Sequence, residues 1–434
     1  MKSFREISFS TMKTEEVFII EGGAKLNGHV SISGAKNAAL PLLASALLFD
    51  TPYEIDNIPR VQDIFTMLKL LDVIGTTHEW IDRNRIKVFP HIKNQIAPYS
   101  IVERMRASIY VLGPLVAKTG FAKVSFPGGC NFGPRPINFH IDGLKKLGVK
   151  IDIEHGFIVA RADRLHGAKI IFDQKTVGGT IHLLMTAALI EDESILENVA
   201  LEPEVVQIAE FLKSSGVDIE GVGGEVLKIK GKKNIIPESP VRIIPDRIEA
   251  GTFLVIGLAT FSDITVDGVN PEHISSTIDK LKSAGAKIIV NGSSVRIVPE
   301  KDKIEPLFIQ TAPYPGFPTD MQAQFMALLS IADGMSIIRE TIYPSRFHHA
   351  YELQRMGALI EVKDGEAVIR GVDLLKGTVV NASDLRASAS LVIAGLTASG
   401  KTIIKNIYHL DRGYEDFENK LSKLGARIRR KKDA

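Results

Sequence analysis

The segment LKKLGVKIDI at residues 144–153 joins the last turn of a helix to a strand through one glycine. Glycine suits the left-handed conformation that closes a helix, and the alternating apolar residues after Gly148 are typical of a strand. The same Leu-x-x-x-Gly pattern occurs six times, at intervals of about 70 residues. This periodicity predicts six repeated units, each with a helix, a cap and a strand. The instances are LDVIG (71–75), LKKLG (144–148), LKSSG (212–216), LKSAG (281–285), LQRMG (353–357) and LSKLG (421–425).

A second element recurs in phase with these helices, namely a run of about twelve residues that is almost free of charge. A helix that is apolar on all sides must be enclosed by protein, whereas the Leu-x-x-x-Gly helices carry charged residues on one face. Each unit is therefore predicted to contribute one buried helix and one surface helix, with strands between them. The six runs occupy residues 38–49, 107–117, 179–190, 250–261, 321–332 and 387–398.

Polar and charged residues stand immediately before these runs. A single Asp or Thr at such a position is usually a helix cap. Four of the six ends carry Lys or Arg, however, and a cation at a helix N-terminus opposes the helix dipole. Two interpretations stay open: ordinary capping, or six helix N-termini directed at a common cleft that binds an anionic substrate. The residues are Lys36, Asn37, Arg104, Arg106, Thr176, Val177, Gly178, Asp246, Arg247, Thr319, Asp320, Asp384 and Arg386.

Composition restricts the class of protein. Of 434 residues, 45% are apolar and 24% are charged, as in an ordinary globular protein. The 53 Lys and Arg residues nearly balance the 51 Asp and Glu residues, so bulk charge disfavours a nucleic-acid or membrane-surface partner. No uncharged apolar run approaches the roughly 18 residues of a membrane span, and the N-terminus lacks the apolar core of a signal peptide. We expect a cytoplasmic protein, a monomer by default.

The single cysteine, Cys130, excludes an intrachain disulfide and a Cys-based metal site, because each needs at least two thiols. It lies in FPGGCNFGPRP at residues 126–136, a glycine-rich loop that also carries Arg135. Most lone cysteines are buried, inert thiols, but a mobile and cationic loop can lower the pKa of a thiol and bring it to a substrate. Cys130 is therefore predicted to be functional. The eleven histidines show no spacing typical of metal ligands, so no metal is expected.

Two further residues have alternative interpretations. Asp320 follows a proline-rich stretch in TAPYPGFPTDMQAQF (311–325), where it either caps a helix or acts as a base. Arg412 in HLDRGYE (409–415) is either a solvated arginine or part of the anion site. Neither HExxH, GxxxxGK[ST] nor GxGxxG occurs, so metalloprotease, P-loop and dinucleotide-binding functions have no local support.

Seven segments of the chain resemble the enolpyruvyl transferase family, specifically the branch that acts on UDP-N-acetylglucosamine. The resemblance spans residues 13–427, and its motifs are long and ungapped. The segments are GAKNAALPLLAS (34–45), MRASIYVLGPLVA (105–117), PGGCNFGPRP (127–136), PDRIEAGTFLV (245–255), FPTDMQAQF (317–325), DLRASASLVIAG (384–395) and HLDRGYE (409–415).

The resemblance implies an α/β fold, a two-lobed inside-out α/β barrel with three repeats in each lobe, in which surface helices and four-stranded sheets surround the buried helices. The junction of the lobes is predicted near residues 235–245, where prolines interrupt the chain. The predicted segments are residues 1–34, an N-terminal extension and a stretch that joins the C-terminal lobe; residues 35–243, the lobe with the Cys130 loop; and residues 244–434, the lobe with Asp320, Arg386 and Arg412.

The resemblance also implies a reaction, the transfer of the enolpyruvyl group of phosphoenolpyruvate to the 3′-hydroxyl of UDP-N-acetylglucosamine with release of phosphate and without a cofactor. By match to the family's motifs, Cys130 donates a proton to the methylene carbon and is the target of fosfomycin. Asp320 is the candidate base near the sugar hydroxyl, and Asp384 is a further candidate catalytic residue.

The same match assigns the binding residues. Lys36, Arg135 and Arg412 are expected to hold phosphoenolpyruvate, with Asp384 and Arg386 nearby. The family usually has an acidic residue where this chain has Asn138, which alters the expected contact with the uridine. The residues expected to line the nucleotide-sugar site or its surroundings are Asn37, Arg106, Arg135, Pro136, Ile137, Asn138, Phe139, Thr176, Val177, Gly178, Asp320, Ile342 and Arg346.

Two other functions compete with this interpretation. The sister branch of the family, 3-phosphoshikimate 1-carboxyvinyltransferase, shares the fold and the donor substrate, but its loop does not use this cysteine. A ring-shaped DNA sliding clamp is also built of repeated helices and sheets, but it would need basic helices lining a channel. The helices here are uncharged or of mixed charge.

Overall fold

The computed structural model describes residues 16–126 and 137–432. The strands within these ranges are β1 Glu16–Glu21, β2 Asn27–Ser31, β3 Tyr53–Asp56, β4 Thr77–Trp80, β5 Ile86–Phe89, β6 Ile96–Ala97, β7 Phe121–Ser125, β8 Lys150–Glu154, β9 Phe157–Arg161, β10 Lys169–Ile171, β11 Glu193–Glu197, β12 Asp218–Glu220, β13 Val226–Lys230, β14 Val241–Arg242, β15 Asp263–Asp267, β16 Ala286–Asn291, β17 Ser294–Pro299, β18 Phe308–Gln310, β19 Met335–Arg339, β20 Leu359–Lys363, β21 Glu366–Arg370, β22 Val379–Asn381, β23 Lys401–Lys405 and β24 Arg427–Lys432.

Helices alternate with these strands along the described chain. The α-helices are α1 Lys36–Ala44, α2 Gln62–Ile74, α3 Tyr99–Val102, α4 Leu112–Thr119, α5 Asn138–Lys146, α6 Val177–Ala187, α7 Pro203–Ser214, α8 Arg247–Ala259, α9 Ser275–Ser283, α10 Gln322–Leu329, α11 His348–Arg355, α12 Leu385–Thr397, α13 Tyr408–Asp411 and α14 Phe417–Lys423. Short 3-10 helices cover Ser45–Leu48, Arg106–Val111, Pro271–Ile274 and Thr319–Met321.

The strands form six four-stranded sheets with one repeated topology. In each sheet one edge strand runs parallel to its neighbour, and the other pairs are antiparallel. This repetition confirms the predicted α/β architecture of six units. The sheet orders are β14-β3-β5-β4, β6-β7-β9-β8, β10-β11-β13-β12, β2-β15-β17-β16, β18-β19-β21-β20 and β22-β23-β1-β24.

The six glycines of the Leu-x-x-x-Gly pattern have a conformation that explains their recurrence. Their φ angles range from 94° at Gly148 to 120° at Gly75, a region that a residue with a Cβ enters only under strain. Each glycine ends a surface helix before the next strand. The helix ends predicted from the sequence are therefore confirmed.

Buried helices occupy the predicted apolar runs. In α8 every residue except Arg247 is buried, and in α10 all eight residues are buried. The runs at 38–49 and 107–117 are not single α-helices as the sequence predicts, because a 3-10 helix follows α1 in the first and another precedes α4 in the second. Pro114 has no N–H and is tolerated in the first turn of α4, whereas in an α-helix that started at residue 107 it would remove a backbone hydrogen bond.

The described chain has two hydrophobic cores, one for each lobe. The first contains buried residues between Ala35 and Ile243, and the second contains Phe18 to Val30 together with Ile248 to Ile428. The chain enters the second lobe first: β1 pairs with β23 and β24, and β2 pairs with β15. It then crosses to the first lobe and returns near Ile243. Two adjacent crossings connect the lobes, and Gly34 in the first pairs with Pro245 in the second. Among the described helices, none is long and apolar enough to cross a membrane.

Candidate active site

An ion cluster formed by Lys36, Asp63 and Arg412 connects the two lobes. Lys36, the first residue of α1, donates from Nζ to Oδ2 of Asp63 at 3.0 Å. Arg412 follows α13 in the second lobe and donates from Nε to Oδ1 of Asp63 at 2.9 Å. Both cations thus share one carboxylate, in the first turn of α2. Lys36 and Arg412 were predicted from the sequence, whereas Asp63 was not.

Asp63 remains ionised despite its burial. Its side chain is only 5% exposed, and burial by itself would raise the pKa of the carboxyl group. The nearby Lys36 ammonium and Arg412 guanidinium outweigh that effect and lower the pKa below its usual value. An incoming anion would meet two positioned cations whose charge Asp63 only partly neutralises. Nothing in the sequence distinguishes Asp63 from an acidic residue that simply favours a helix N-terminus.

A second ion cluster lies in the second lobe around Asp320. Arg346 donates to Oδ1 of Asp320 at 2.8 Å, and Arg386 donates to Oδ2 at 3.0 Å. Burial would raise the pKa of Asp320, but the two guanidinium groups hold it well below 3.8. The arginine side chains are almost fully buried, whereas the Asp320 side chain is 29% exposed. Asp320 is therefore an ionised carboxylate that remains accessible.

Glu340 supports this second cluster from behind. It is buried and accepts a hydrogen bond from Thr319 Oγ1 at 2.9 Å, while Thr319 Oγ1 accepts one from Arg346 at 3.0 Å. The other Glu340 oxygen accepts from the backbone N–H of Ile342 at 2.8 Å. One carboxylate thereby fixes both the Arg346 guanidinium and the segment that carries Ile342. Sequence reasoning did not identify Glu340.

Capping explains several of the polar residues before the buried helices. Asp384 Oδ1 accepts from the backbone N–H groups of Arg386 and Ala387 at 2.8 and 3.0 Å, which caps α12. Asp246 caps α8 in the same way, and Thr176 Oγ1 caps α6 by accepting from Gly179 N. For these residues the two interpretations left open by the sequence are compatible: the side chains are caps, and Arg386 projects from the end that Asp384 fixes.

The start of α5 lies against the start of α6 in the first lobe. A Cβ on Gly179 would lie 3.3 Å from Phe139 Cβ, and the Phe139 ring packs edge-on against Phe172. Asn138 begins α5 directly after Ile137. The structure therefore brings together two segments predicted to line one site, 137–139 and 176–178. Asn37, in the first turn of α1, is partly exposed.

A further ion pair, between Arg247 and Glu204, connects the two lobes. Arg247 at the start of α8 donates from Nε to Glu204 of α7 at 3.1 Å. Burial by itself would lower the pKa of Arg247, but the neighbouring Glu204 carboxylate outweighs that effect and raises it. Arg247 and Glu204 thus lie at the boundary between the two lobes.

The cleft suits an anionic substrate. Lys36 lies at the start of the buried helix α1, where no side chain caps the backbone N–H groups and the helix N-terminus adds further positive potential. Cys130, Arg135 and Pro136 lie outside the described residues. Within the described ranges, no group of three or more His, Cys, Asp or Glu residues could hold a metal ion.

Comparisons with known proteins agree with this geometry. The family model for EPSP synthase (3-phosphoshikimate 1-carboxyvinyltransferase) matches residues 20–421. The chain is 50% identical over 412 residues to UDP-N-acetylglucosamine 1-carboxyvinyltransferase of Thermodesulfovibrio yellowstonii, covering 95% of this chain and 99% of that protein. It is 47% identical over 419 residues to UDP-N-acetylglucosamine 1-carboxyvinyltransferase 2 of Carboxydothermus hydrogenoformans, covering 96% and 100%.

Solved structures show the same fold. The crystal structure of the enolpyruvyl transferase NikO from Streptomyces tendae matches with a TM-score of 0.87 and 26% identity, covering 97% of this chain and 100% of that one. EPSP synthase from Acinetobacter baumannii matches with a TM-score of 0.73 at 15% identity, covering 96% and 100%, a likeness of fold alone. The fold, the two ion clusters and the matches over nearly the whole chain together establish that this protein belongs to the EPSP synthase family of carboxyvinyltransferases.

Proposed function

We propose that this protein transfers the enolpyruvyl group of phosphoenolpyruvate to the 3′-hydroxyl of UDP-N-acetylglucosamine and releases phosphate. The observation that carries the proposal is the presence of two clusters of cations, around Asp63 and around Asp320. The chain also belongs to a family of carboxyvinyltransferases. Relatives that share about half of their residues with this chain bear the name of this activity.

The reaction is an addition followed by an elimination. The sugar oxygen bonds to C2 of phosphoenolpyruvate, its proton leaves to a base, and C3 gains a proton from an acid. The tetrahedral adduct then loses a proton from C3 and phosphate from C2, which restores the double bond. The chemistry therefore requires an acid and a base on opposite sides of the substrate. Cys130 is proposed as the acid.

Asp320 is proposed as the acceptor of the alcohol proton. Each of its oxygens accepts a hydrogen bond from an arginine and retains another lone pair for the substrate. The two guanidinium groups keep the carboxylate in the form that can accept a proton, although they weaken it as a base. Proton transfer is thus expected late, when the attacking oxygen has bonded to carbon and its proton has become acidic.

The Lys36 and Arg412 pair is proposed to hold the phosphate and carboxylate of phosphoenolpyruvate, together with Arg135. The two cations already lie within hydrogen-bond distance of one carboxylate, so their charges are positioned before an anion arrives. Fixed cations of this kind stabilise charge that moves onto the departing phosphate. Because Arg412 and Lys36 come from different lobes, the substrate would favour a closed cleft.

The nucleotide sugar is proposed to lie along the other side of the cleft. Its binding residues would come from the starts of α1, α5 and α6 and from the segment that Glu340 fixes. Asn138 would provide an amide contact to the uridine in place of a carboxylate. The proposed residues are Asn37, Arg106, Arg135 to Phe139, Thr176 to Gly178, Ile342 and Arg346.

The proposed reaction has a biological context. An enolpyruvyl UDP-sugar is the first committed intermediate of peptidoglycan synthesis, which links the protein to cell-wall formation, cell shape and division. We propose a cytoplasmic location and fosfomycin sensitivity through Cys130. Mass spectrometry of the product tests the proposal: a UDP-sugar heavier by one enolpyruvyl group, formed only when both substrates are present, would support it, and its absence would refute it.

A further inference from the structure

One of the six sheets, β22-β23-β1-β24, differs from the others in the charge of its outer side. Its inner side packs on α12, where Ile20 is fully buried and a Cβ built on Gly395 would lie 3.2 Å from its Cδ1. Because successive strand residues point to opposite faces, the residues that alternate with Ile20 and its cross-strand partners form the outer side. This side is termed the basic face, and it carries one acidic and five basic residues: Glu21, Lys401, Lys405, Arg427, Arg429 and Lys431.

The outer sides of the other five sheets are nearly neutral, because acidic and basic residues alternate across their strands. In β10-β11-β13-β12 three lysines stand beside four acidic residues, and Lys169 pairs with Glu197 at 2.8 Å. In β2-β15-β17-β16 Arg296 pairs with Asp263 across neighbouring strands. The six repeats therefore show one sheet topology with different charge patterns, and the excess of cations is specific to the basic face.

Three acidic residues near β24 are engaged on its other side. Arg430 points inward, with its guanidinium carbon 5.0 Å from the centre of the Phe18 ring. It pairs at 2.6–3.0 Å with three carboxylates, those of Glu16, Asp411 and Glu418. Among the residues that the structure describes, none pairs with the three β24 cations of the basic face. The positive charge of this face is thus left without compensation from the protein.

The basic face is flat, and its cations stand in two rows. One row lies on β23 and the other on β24, with β1 between them, so the rows are about 10 Å apart. Ile19, Ile403 and Val379 lie partly exposed beside these rows. Charges that only protect a sheet edge from pairing would be confined to the edge strand, whereas β23 is an interior strand. The pattern therefore favours a binding surface over edge protection.

We propose that the basic face binds the surface of a membrane that contains anionic lipids. Its Lys and Arg side chains would reach the head-group phosphates, and the aliphatic residues would contact the boundary beneath them. Nucleic acid fits this surface less well. The described strands place no aromatic residue on the face for base stacking, and a flat sheet side does not enter a groove. The net charge of the whole chain, +2, conceals this local excess.

Binding through the basic face would leave the candidate active site accessible. The sheet packs on α12 at Gly395, which lies about 13 Å along the helix from Arg386 at the opposite end. The proposal is independent of the reaction that the protein catalyses. Variants of the basic face should therefore keep wild-type activity when no lipid is present.

Co-sedimentation of the full chain with lipid vesicles tests the proposal. The protein should pellet with vesicles of phosphatidylcholine in which roughly a third of the lipid is phosphatidylglycerol. It should not pellet with pure phosphatidylcholine, and rising salt should release it from the anionic vesicles. The triple variant Arg427→Gln, Arg429→Gln and Lys431→Gln removes the β24 cations. Each cation near an anionic surface contributes about fivefold to affinity, so this variant should bind roughly 10²-fold more weakly.

The matched control is the triple variant Lys169→Gln, Lys228→Gln and Lys230→Gln. It removes three cations from the equivalent side of another sheet and changes the net charge by the same amount. Its vesicle binding should equal that of the wild type. Thermal unfolding of both triple variants checks their fold. If the β24 variant is less stable, Lys401→Gln on the interior strand replaces it, with an expected loss of about fivefold.

Two results would overturn the proposal. The first is wild-type protein that fails to pellet with anionic vesicles, or that loses as much binding in the control variant as in the β24 variant. The second comes from fluorescence anisotropy with labelled single-stranded and double-stranded DNA. Binding of DNA that is tighter than binding of vesicles, and that is lost in the β24 variant, would assign the face to nucleic acid instead.

Discussion

Arg412 and Asp63, separated by 349 positions in the sequence, form a hydrogen-bonded ion pair of 2.9 Å between the two lobes. The Asp63 carboxylate also accepts from Lys36, so one acidic side chain fixes two cations from different halves of the protein. An anionic substrate that binds these cations must compete with Asp63 or share them with it. Asp63 is thus expected to control where phosphoenolpyruvate binds.

Replacing Asp63 with asparagine should impair phosphoenolpyruvate use. Without its negative charge, Lys36 and Arg412 repel each other and lose their fixed positions. We expect kcat/KM for phosphoenolpyruvate to fall roughly 10²-fold, as misplaced positioning groups cause. The free energy of unfolding should fall by roughly 3 kcal/mol, since a buried ion pair loses one partner. Steady-state kinetics and urea unfolding measure both effects.

The matched control for Asp63→Asn is Asp50→Asn. Asp50 also pairs with a lysine of the first lobe, Lys118, but its side chain is 67% exposed. Exposed pairs contribute little to stability. Kinetics like those of the wild type in Asp63→Asn would contradict the role given to this carboxylate.

Asp320→Asn should abolish proton removal while preserving shape. The amide can still accept a hydrogen bond from Arg346 or Arg386 but cannot accept the alcohol proton. We expect kcat to fall about 10²-fold to 10⁴-fold, the usual contribution of a general base. Binding of UDP-N-acetylglucosamine, followed by calorimetry, should persist within tenfold. Retention of most turnover would show that another group receives the proton.

Buried neutral histidines should make the protein less stable in mild acid. Burial lowers the pKa of His349 to about 4, against about 6.5 in the unfolded chain. Between these two pKa values the folded state binds fewer protons than the unfolded state. The free energy of unfolding is therefore unaffected by His349 well above pH 6.5 and decreases as the pH falls towards 4. Between pH 7.5 and 5.5, His349 alone should account for roughly 1.3 kcal/mol of lost unfolding free energy.

His349→Gln isolates that contribution from those of other titrating groups. Urea unfolding at the two pH values should give a decline that is smaller in the variant by this amount. An identical decline in both proteins would mean that His349 is not buried in its neutral form.

Cys130→Ser should lose most turnover, because a hydroxyl is a poor proton donor to carbon. Cys130→Asp should retain activity and resist fosfomycin, since a carboxylic acid can donate the proton but attacks an epoxide less readily than a thiolate does. Mass spectrometry after incubation with the drug and sugar nucleotide should find Cys130 alkylated in the wild type. An unmodified Cys130 would contradict the predicted sensitivity.

The repeated units could be predicted from the sequence because their signals are local. A glycine such as Gly148 ends its helix through its own φ angle, and the burial of α8 follows from an uninterrupted apolar run. The predicted start of the helix that contains Pro114 was wrong. A proline is tolerated in the first turn of a helix but not as readily further along it, so the outcome depends on where the helix begins. That position is set by the packing around it.

The partners of the site residues could not be predicted in the same way. Asp63 matters through Arg412, which is distant in sequence, and Glu340 matters through Thr319 and the backbone of Ile342. A local sequence pattern cannot predict such contacts, because the residues that make them come together only in the folded chain. Asp384 was predicted as a catalytic candidate; it caps α12, and its part in the reaction stays a prediction.

Phosphate release with two alternative acceptors tests the central claim most directly. Purified protein with phosphoenolpyruvate should release phosphate when UDP-N-acetylglucosamine is added, and neither substrate alone should suffice. Shikimate 3-phosphate in place of the sugar nucleotide should give no release above background. Release with shikimate 3-phosphate, and none with UDP-N-acetylglucosamine, would contradict the account and assign the chain to the sister activity.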